Sequence, residues 1–519
     1  MSRFLFATSG RGATLDMLAA TSRSIGKLGP SRHPWYVTGT KGDVSTLVMR
    51  RRAPLSGRVT LGDDATCEWV VFLAAGDSVT RDALRIAGTA IDNVGPDVDV
   101  IYGDTRHDIK RDDRLPTYQR RPSFSPERLR SHNYIGEFIM AKRSLVDSVG
   151  GLAMLTDTNS HDRNLRLTER ARRVLRSPVI LNVTPSGNLL PDANVDAVAQ
   201  HLARRAIAAD VVFDADTPAV RVRRRLQHQP KISVVIPTRG SSAELRGVST
   251  PFVVNAVRTL VERSTYQNFE IIVVADTPTP AAVRAELSEI GGNRLLIVDY
   301  DKAFNFAVKN NIGVAHSNGE FVLLLNDDTE LISPDALETM LALFEDGNVG
   351  IVGPILYFED GTIQSAGHVF TPDPTDMYRL QPATIRGAHN YVRVQREASS
   401  VIAACLLTPR TVFEAVGGLS TQFPGNWNDI DYALKVQQAG YSVIFTPHAE
   451  FFHFESKTRV ALRIESEVAK LGNRWGDILD DDPYFNPRLQ RFINMWRSDF
   501  HTDRSYEEAL GPTAPISSK

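Results

Sequence analysis

The chain has 519 residues, 42% of them apolar, with 59 basic against 61 acidic side chains and a formal net charge of −2. That length exceeds what one hydrophobic core supports, so two or more domains are expected. The near balance of charge excludes wholesale binding of nucleic acid or an anionic membrane.

In chain order, the opening MSRFLFATSGRG lacks the apolar core of an export signal, and no later apolar run reaches the roughly 20 residues a bilayer requires. A cytoplasmic location is therefore expected. EWVVFLAAGDSVTRDAL (68–84) reads as an apolar strand, a short turn and a helix start. Cys67 precedes it, and Cys405 follows far away without metal-type spacing, so neither a disulfide framework nor a zinc site is indicated. VDSVGGL (146–152) and NSHDRNLRLTERARRVLRSPV (159–179) follow, and then a basic run, RVRRRLQHQPK (221–231). The run reads as a solvated linker; peripheral contact with the inner face of a membrane is its second reading.

From Lys231 the pattern becomes regular: KISVVIPT, a helical PFVVNAVRTLVERS, FEIIVVAD, a helical AAVRAELSEI, RLLIVD, then EFVLLL. Continuously apolar strands alternating with helices predict an α/β domain with a mainly parallel sheet and helices on both faces. Ligands of such sheets bind beyond the carboxyl ends of the strands, where Thr238, Asp276, Asp299 and Asn326–Asp328 fall. The earlier segments return here: EFVLLLNDDTELISPDAL (320–337), FEAVGGL (413–419) and NWNDIDYALKVQQAGYSVIFTP (426–447) repeat the three upstream stretches in order. Two tandem copies of one fold are expected, over 1–228 and 229–519, the second with a C-terminal helical extension. In the first copy Ala74-Ala75-Gly76 replaces Asn326-Asp327-Asp328, which predicts no metal site there, although Asp77 and Asp162 remain.

The second half resembles the family 2 glycosyltransferases of GT-A fold, in particular their rhamnosyltransferase-like branch. The resemblance rests on SVVIPTRG (233–240), YQNFEIIVVAD (266–276), FNFAVKNNIG (304–313), GEFVLLLNDDTELISPDAL (319–337), DGTIQSAG (360–367), VGGL (416–419), NDIDYALKVQQAGY (428–441), TPHAEFFHFES (446–456) and RWGDILDDDPYFNP (474–487), in the family's order. It implies transfer of a hexose from a TDP- or UDP-linked donor to a glycan, lipid-linked or protein hydroxyl, with inversion. A bound Mn²⁺ or Mg²⁺ would neutralise the departing diphosphate.

Carried over position by position, the resemblance assigns Asp328 and His453 to the metal. Thr238, Asp276, Asn311, Asn326 and Asp327 would hold the donor. Asp429 would be the catalytic base that takes the acceptor proton, with Asp431 as the second candidate base and an acceptor contact, and Trp427 as a stacking platform for an acceptor sugar. Gly417-Gly418 and the AACLL segment (403–407) would wall the acceptor cleft. Asn310 stands where many relatives carry Arg, and Phe454 where many carry a second His. A different class of protein, a non-catalytic carbohydrate binder on the same fold, is the alternative; two working sites is a third reading, against which Ala74-Ala75-Gly76 argues.

Overall fold

The computed structural model describes residues 3–498 except 29–31, 40–58, 81–82, 109–116, 186–192, 371–373, 388–389, 455–463, 481, 485, 487–488 and 493–494. The first half builds β1 (Phe4–Ser9), β2 (His33–Thr38), β3 (Val59–Leu61), β4 (Trp69–Phe72), β5 (Ser78–Val79), β6 (Val98–His107), β7 (Thr117–Gln119), β8 (Ile139–Lys142) and β9 (Arg173–Thr184). These form one sheet in the order β3-β2-β1-β4-β8-β6-β9-β5, with β7 paired to β6. A hairpin of β10 (Ala209–Asp214) and β11 (Ala219–Arg224) leads to the second half.

There the strands are β12 (Ile232–Thr238), the hairpin β13 (Ser242–Leu245) and β14 (Val248–Pro251), β15 (Phe269–Asp276), β16 (Leu295–Tyr300), β17 (Phe321–Leu325) and β18 (Thr329–Leu331). They continue with β19 (Val349–Tyr357), β20 (Ile363–Ser365), the pair β21 (His368–Phe370) and β22 (Pro374–Asp376), β23 (Arg396–Glu397), β24 (Cys405–Pro409) and β25 (Ser442–His453). The main sheet runs β16-β15-β12-β17-β24-β19-β25-β18, with β20 on β19. Position by position this is the order of the first sheet. The sheets are mixed: β16, β15, β12 and β17 are parallel, while β24 runs antiparallel to β17 as β8 does to β4.

The chemistry of the strands explains the layering. Ile232, Val234, Val235 and Ile236 of β12 have no exposed surface, nor have Ile271, Val273 and Val274 of β15, so both faces need cover. Helix Phe252–Arg263 supplies Val253, Val254, Val257 and Leu260 to one face; helix Phe306–Ala315 brings Ala307 and Val314 to the core on the other. Gly313 lets that helix approach, since a Cβ there would lie 2.3 Å from Val235 Cγ1. Helix Glu465–Leu479 packs Leu471, Trp475 and Leu479 against Ile430 and Leu434 of helix Asn428–Gln438.

The basic run is not a linker throughout. Arg221–Arg224 are strand residues of β11, and Arg224 is buried, paired with Glu127 of the first half. Glu127 also pairs with Arg130 and accepts from Gln395 Nε2 at 2.7 Å, while Arg130 reaches Asp346 at 2.7 Å. Glu397 accepts from the Ser125 hydroxyl and from the Glu127 backbone N–H at 3.3 Å. Near the other end of the chain Asn486 Nδ2 donates to Asp104 Oδ1 at 3.0 Å and to the Arg121 carbonyl at 2.9 Å, tying the C-terminal segment to the first half.

Candidate functional site

The carboxyl ends of β12, β15 and β17 converge on one edge, and the side chains there are joined. After β17 the chain does not return to β12. Asn326-Asp327-Asp328 carries it across to β18, which pairs with β25 so that Thr329 faces His453. The turn is fixed by its backbone: Asn326 N–H donates to the Ala404 carbonyl at 2.9 Å, and Phe454 N–H to the Asp328 carbonyl at 2.8 Å. The Asp side chains are thereby free of the turn and meet Thr238 and His453 instead.

Asp328 Oδ1 lies 3.2 Å from His453 Nε2, and Asn326 Nδ2 lies 3.3 Å from the same nitrogen. Burial raises the Asp328 carboxyl, but the His453 contact outweighs it and the net direction is down. Asp327 goes the other way, up to about 7, because it is buried beside the Asp328 charge. Thr238 Oγ1 donates to Asp327 Oδ2 at 2.6 Å and accepts from Gly240 N–H at 2.9 Å, so the β12 turn and the Asn-Asp-Asp turn form one unit.

Asp276, at the end of β15, receives Lys309 Nζ at 2.8 Å, and the same ammonium donates to the Thr238 carbonyl at 2.7 Å. Burial lowers the Lys309 pKa, with Asp276 opposing. Lys309 is a residue that the sequence reading passed over. The signal was present: it is the one charged residue of FAVKNNIGVA, on a helix otherwise packed into the sheet.

Asp429 opens helix Asn428–Gln438, where its Oδ2 accepts from Ala403 N–H at 3.2 Å and its Oδ1 from Ile430 N–H at 2.9 Å. Ala403 lies two residues before β24, so the AACLL segment meets Asp429 through its backbone.

Three expected contacts are placed elsewhere. Asn311 is committed at both ends of its amide, Nδ2 to the Leu419 carbonyl at 2.8 Å and Oδ1 from Leu419 N–H at 3.0 Å; it staples its helix to the Val-Gly-Gly-Leu turn rather than facing a donor. Gly418 has φ +64°, and a Cβ there would meet Asn311 Oδ1 at 2.8 Å, which accounts for the second glycine. Asp431 has no exposed surface and bonds Trp475 Nε1 at 2.9 Å and Arg474 at 3.0 Å. Trp427 packs against the Ile430, Leu434 and Trp475 cluster, on a left-handed backbone of φ 63°. Glu455 and Ser456, which follow His453 and Phe454, lie outside the described residues.

The donor set suits a hard divalent cation: the Asp328 carboxylate, the His453 imidazole and the Asn326 Oδ1, a buried oxygen with no hydrogen-bond partner. Among the described residues no group of three or more His, Cys, Asp or Glu side chains is gathered as a fully protein-held metal site. A cation here would take its remaining ligands from phosphate and water, the usual habit of Mg²⁺ at phosphate sites.

The model of the glycosyl transferase family 2 matches residues 233–417, the stretch that runs from β12 through the Asn-Asp-Asp turn to the Gly-Gly turn. Residues 233–417 belong to glycosyl transferase family 2. The chain is 32% identical over 459 residues to an uncharacterized protein, y4gI, of Sinorhizobium fredii, covering 83% of this chain and 49% of that protein. It is 29% identical over 457 residues to the O-antigen biosynthesis protein RfbC of Myxococcus xanthus, covering 84% of this chain and 35% of that protein. It therefore spans half or less of the length of these relatives. Among solved structures, the mannosyltransferase PcManGT from Pyrobaculum calidifontis, in complex with GDP-Man and Mn²⁺, aligns at 20% identity and a TM-score of 0.33, over 44% of this chain and 59% of that one. GalNAc-T7 with UDP, GalNAc and Mn²⁺ aligns at 13% identity and a TM-score of 0.40, over 52% of each chain.

Proposed function

We propose that this glycosyltransferase domain moves a hexose from a nucleoside diphosphate sugar to a hydroxyl of a glycan, lipid-linked or protein acceptor, with inversion at the anomeric carbon. The observation that carries the reading is the joining of Asp328, His453 and Asn326 beside the Thr238–Asp327 pair at the carboxyl edge of the sheet. In this reading Asp328, His453 and the Asn326 oxygen hold a divalent cation, Mn²⁺ or Mg²⁺. When bound, that ion neutralises charge developing on the leaving diphosphate.

The chain's own residues do the rest. Asp327 and Thr238 orient ribose and phosphate, and Asp276, positioned by Lys309, contacts the nucleoside. Asp429 receives the acceptor hydroxyl proton as that oxygen attacks; two backbone N–H donors hold its carboxylate, leaving oxygen lone pairs for the incoming O–H. The name of the Myxococcus relative supports a surface polysaccharide as the acceptor class. The first half, with Ala74-Ala75-Gly76 in the metal position, acts as a degenerate copy without metal.

The experiment is incubation with a panel of TDP-, UDP- and GDP-sugars plus Mn²⁺, reading nucleotide release. Release from at least one donor, abolished in Asp328→Ala, is expected. Asp429→Asn should lower transfer by a factor of at least about 100 with nucleotide affinity retained. Sugar binding without nucleotide release from any donor would instead mean a carbohydrate-binding protein.

A further inference from the structure

His368 belongs to no motif used so far, yet the segment that holds its backbone also holds the proposed base. β21 sets it in place: its backbone N–H donates to the Ser400 carbonyl at 2.8 Å, and β21 pairs with β22 so that His368 faces Asp376. Its Nε2 is 3.4 Å from Asp376 Oδ1, while its Nδ1 is buried without a hydrogen-bond partner. The Ser400–Ala403 segment that holds His368 also supplies the N–H that Asp429 accepts. Two residues on, Phe370 packs with Ile430, the neighbour of Asp429 on its helix.

We propose that His368, as an imidazolium held by Asp376, is a positioning residue for Asp429, drawing the carboxylate into one orientation so that a fixed oxygen faces the acceptor hydroxyl. The inference rests on the reading of Asp429 as the base. It follows from electrostatics: a buried imidazole paired with a carboxylate is favoured in its charged form, and a carboxylate held by two N–H groups in the field of a cation loses rotamer freedom before the acceptor arrives. Burial lowers the His368 pKa, but Asp376 and, further off, Asp429 outweigh it, and the net direction is up. The charged groups that act on the ring are Asp376 from β22 and, more weakly, Asp429 from its helix; the Ser400 carbonyl holds the His368 backbone N–H, and Arg379 acts on Asp376.

The test uses the full chain. In histidine NMR spectra, the resonance lost in His368→Asn should titrate above an ordinary histidine in wild type, and at lower pH in both Asp376→Asn and Asp429→Asn. His368→Asn should lower kcat for transfer by ten- to a hundredfold, with nucleotide affinity within error of wild type at a temperature where the variant is fully folded. The wild-type rate should fall as pH rises through the His368 titration, a limb absent in the variant. If Asp429→Asn still transfers sugar, the reading of the base fails. If that variant is inactive while His368→Asn keeps wild-type kcat and the same alkaline limb, or if Asp429→Asn leaves the His368 titration unmoved, the positioning role is overturned.

Discussion

At the scale of single residues, the site is organised by pairs whose members answer to different needs. Lys309 is the clearest case. A buried ammonium is costly unless paired, and this one is satisfied by the Asp276 carboxylate and the Thr238 carbonyl at once, so two strand ends are clamped by one cation. Lys309→Met removes a charge-assisted contact and leaves both acceptors to water. Nucleotide affinity, measured by calorimetry, should weaken roughly tenfold, the loss expected for one hydrogen bond to a charged group; an unchanged Kd would show that Asp276 needs no such support. Asp328 and Asp429 stood out in the sequence because each sits in a run of motifs in order; a strand-end turn or a helix-start carboxylate alone would explain either residue. Asn311 and Trp427 were misjudged for a common reason: an amide or an indole serves packing and stapling as readily as a ligand, and only contacts with Leu419 or Trp475 distinguish the two.

At the scale of elements, helix Asn428–Gln438 separates two carboxylates that the sequence sets side by side. Successive helical residues turn by about 100°, so positions two apart lie nearly on opposite faces. Asp429 therefore turns to the Ala403 N–H and Asp431 into the packing beneath helix Glu465–Leu479, where Trp475 and Arg474 meet it. Asp431→Ala should destabilise the protein by about 3 kcal/mol, the scale of breaking a buried ion pair, seen as a lower denaturation midpoint, with no selective rise in acceptor KM. A variant of normal stability and raised KM would restore the acceptor role. The strands β12, β15, β16 and β17 were readable as uninterrupted apolar runs. The hairpins β10–β11 and β21–β22 were not, because short, partly polar strands have no period long enough to tell from a loop. Ser333 illustrates the same limit. Its sequence context suggests a helix cap with Pro334, but its hydroxyl accepts from Glu450 N–H at 2.7 Å, and the helix begins at Ala336.

At the scale of the whole molecule, two sheets of the same strand order are joined by a buried network of charge. The repeat was visible in sequence as three parallel stretches; the network was not, since Glu127 meets Glu397 across 270 residues and Arg130 meets Asp346 across 216. In the first half, the turn that corresponds to Asn326-Asp327-Asp328 is closed differently. Thr21 Oγ1 accepts from Gly76 N–H at 2.9 Å and donates to the Asp77 carbonyl at 3.1 Å, while burial pushes the Asp77 carboxyl up to about 7. The network has a pH consequence. Burial, then the neighbouring Glu127 charge, push Glu397 up to about 7, above its unfolded value of 4.5. Its folded form holds the proton more tightly, so its contribution to stability is fully present below 4.5 and is lost as pH rises through 7. Asp346, held down at about 2 by Arg130 and Arg224 against the cost of burial, acts only in more acid solution. Denaturation midpoints of the wild type should therefore fall between pH 5 and 8 more steeply than those of Glu397→Gln; parallel curves would remove Glu397 from the account.

The central claim is that the Asn-Asp-Asp turn and His453 bind a cation together with a diphosphate. Calorimetric titration of UDP, TDP and GDP into the protein, with Mn²⁺ and with chelator, tests it most directly. The account predicts that one nucleotide binds at least about tenfold more tightly with Mn²⁺ and that Asp328→Ala erases the difference; equal affinity with and without the ion, in wild type, would contradict it.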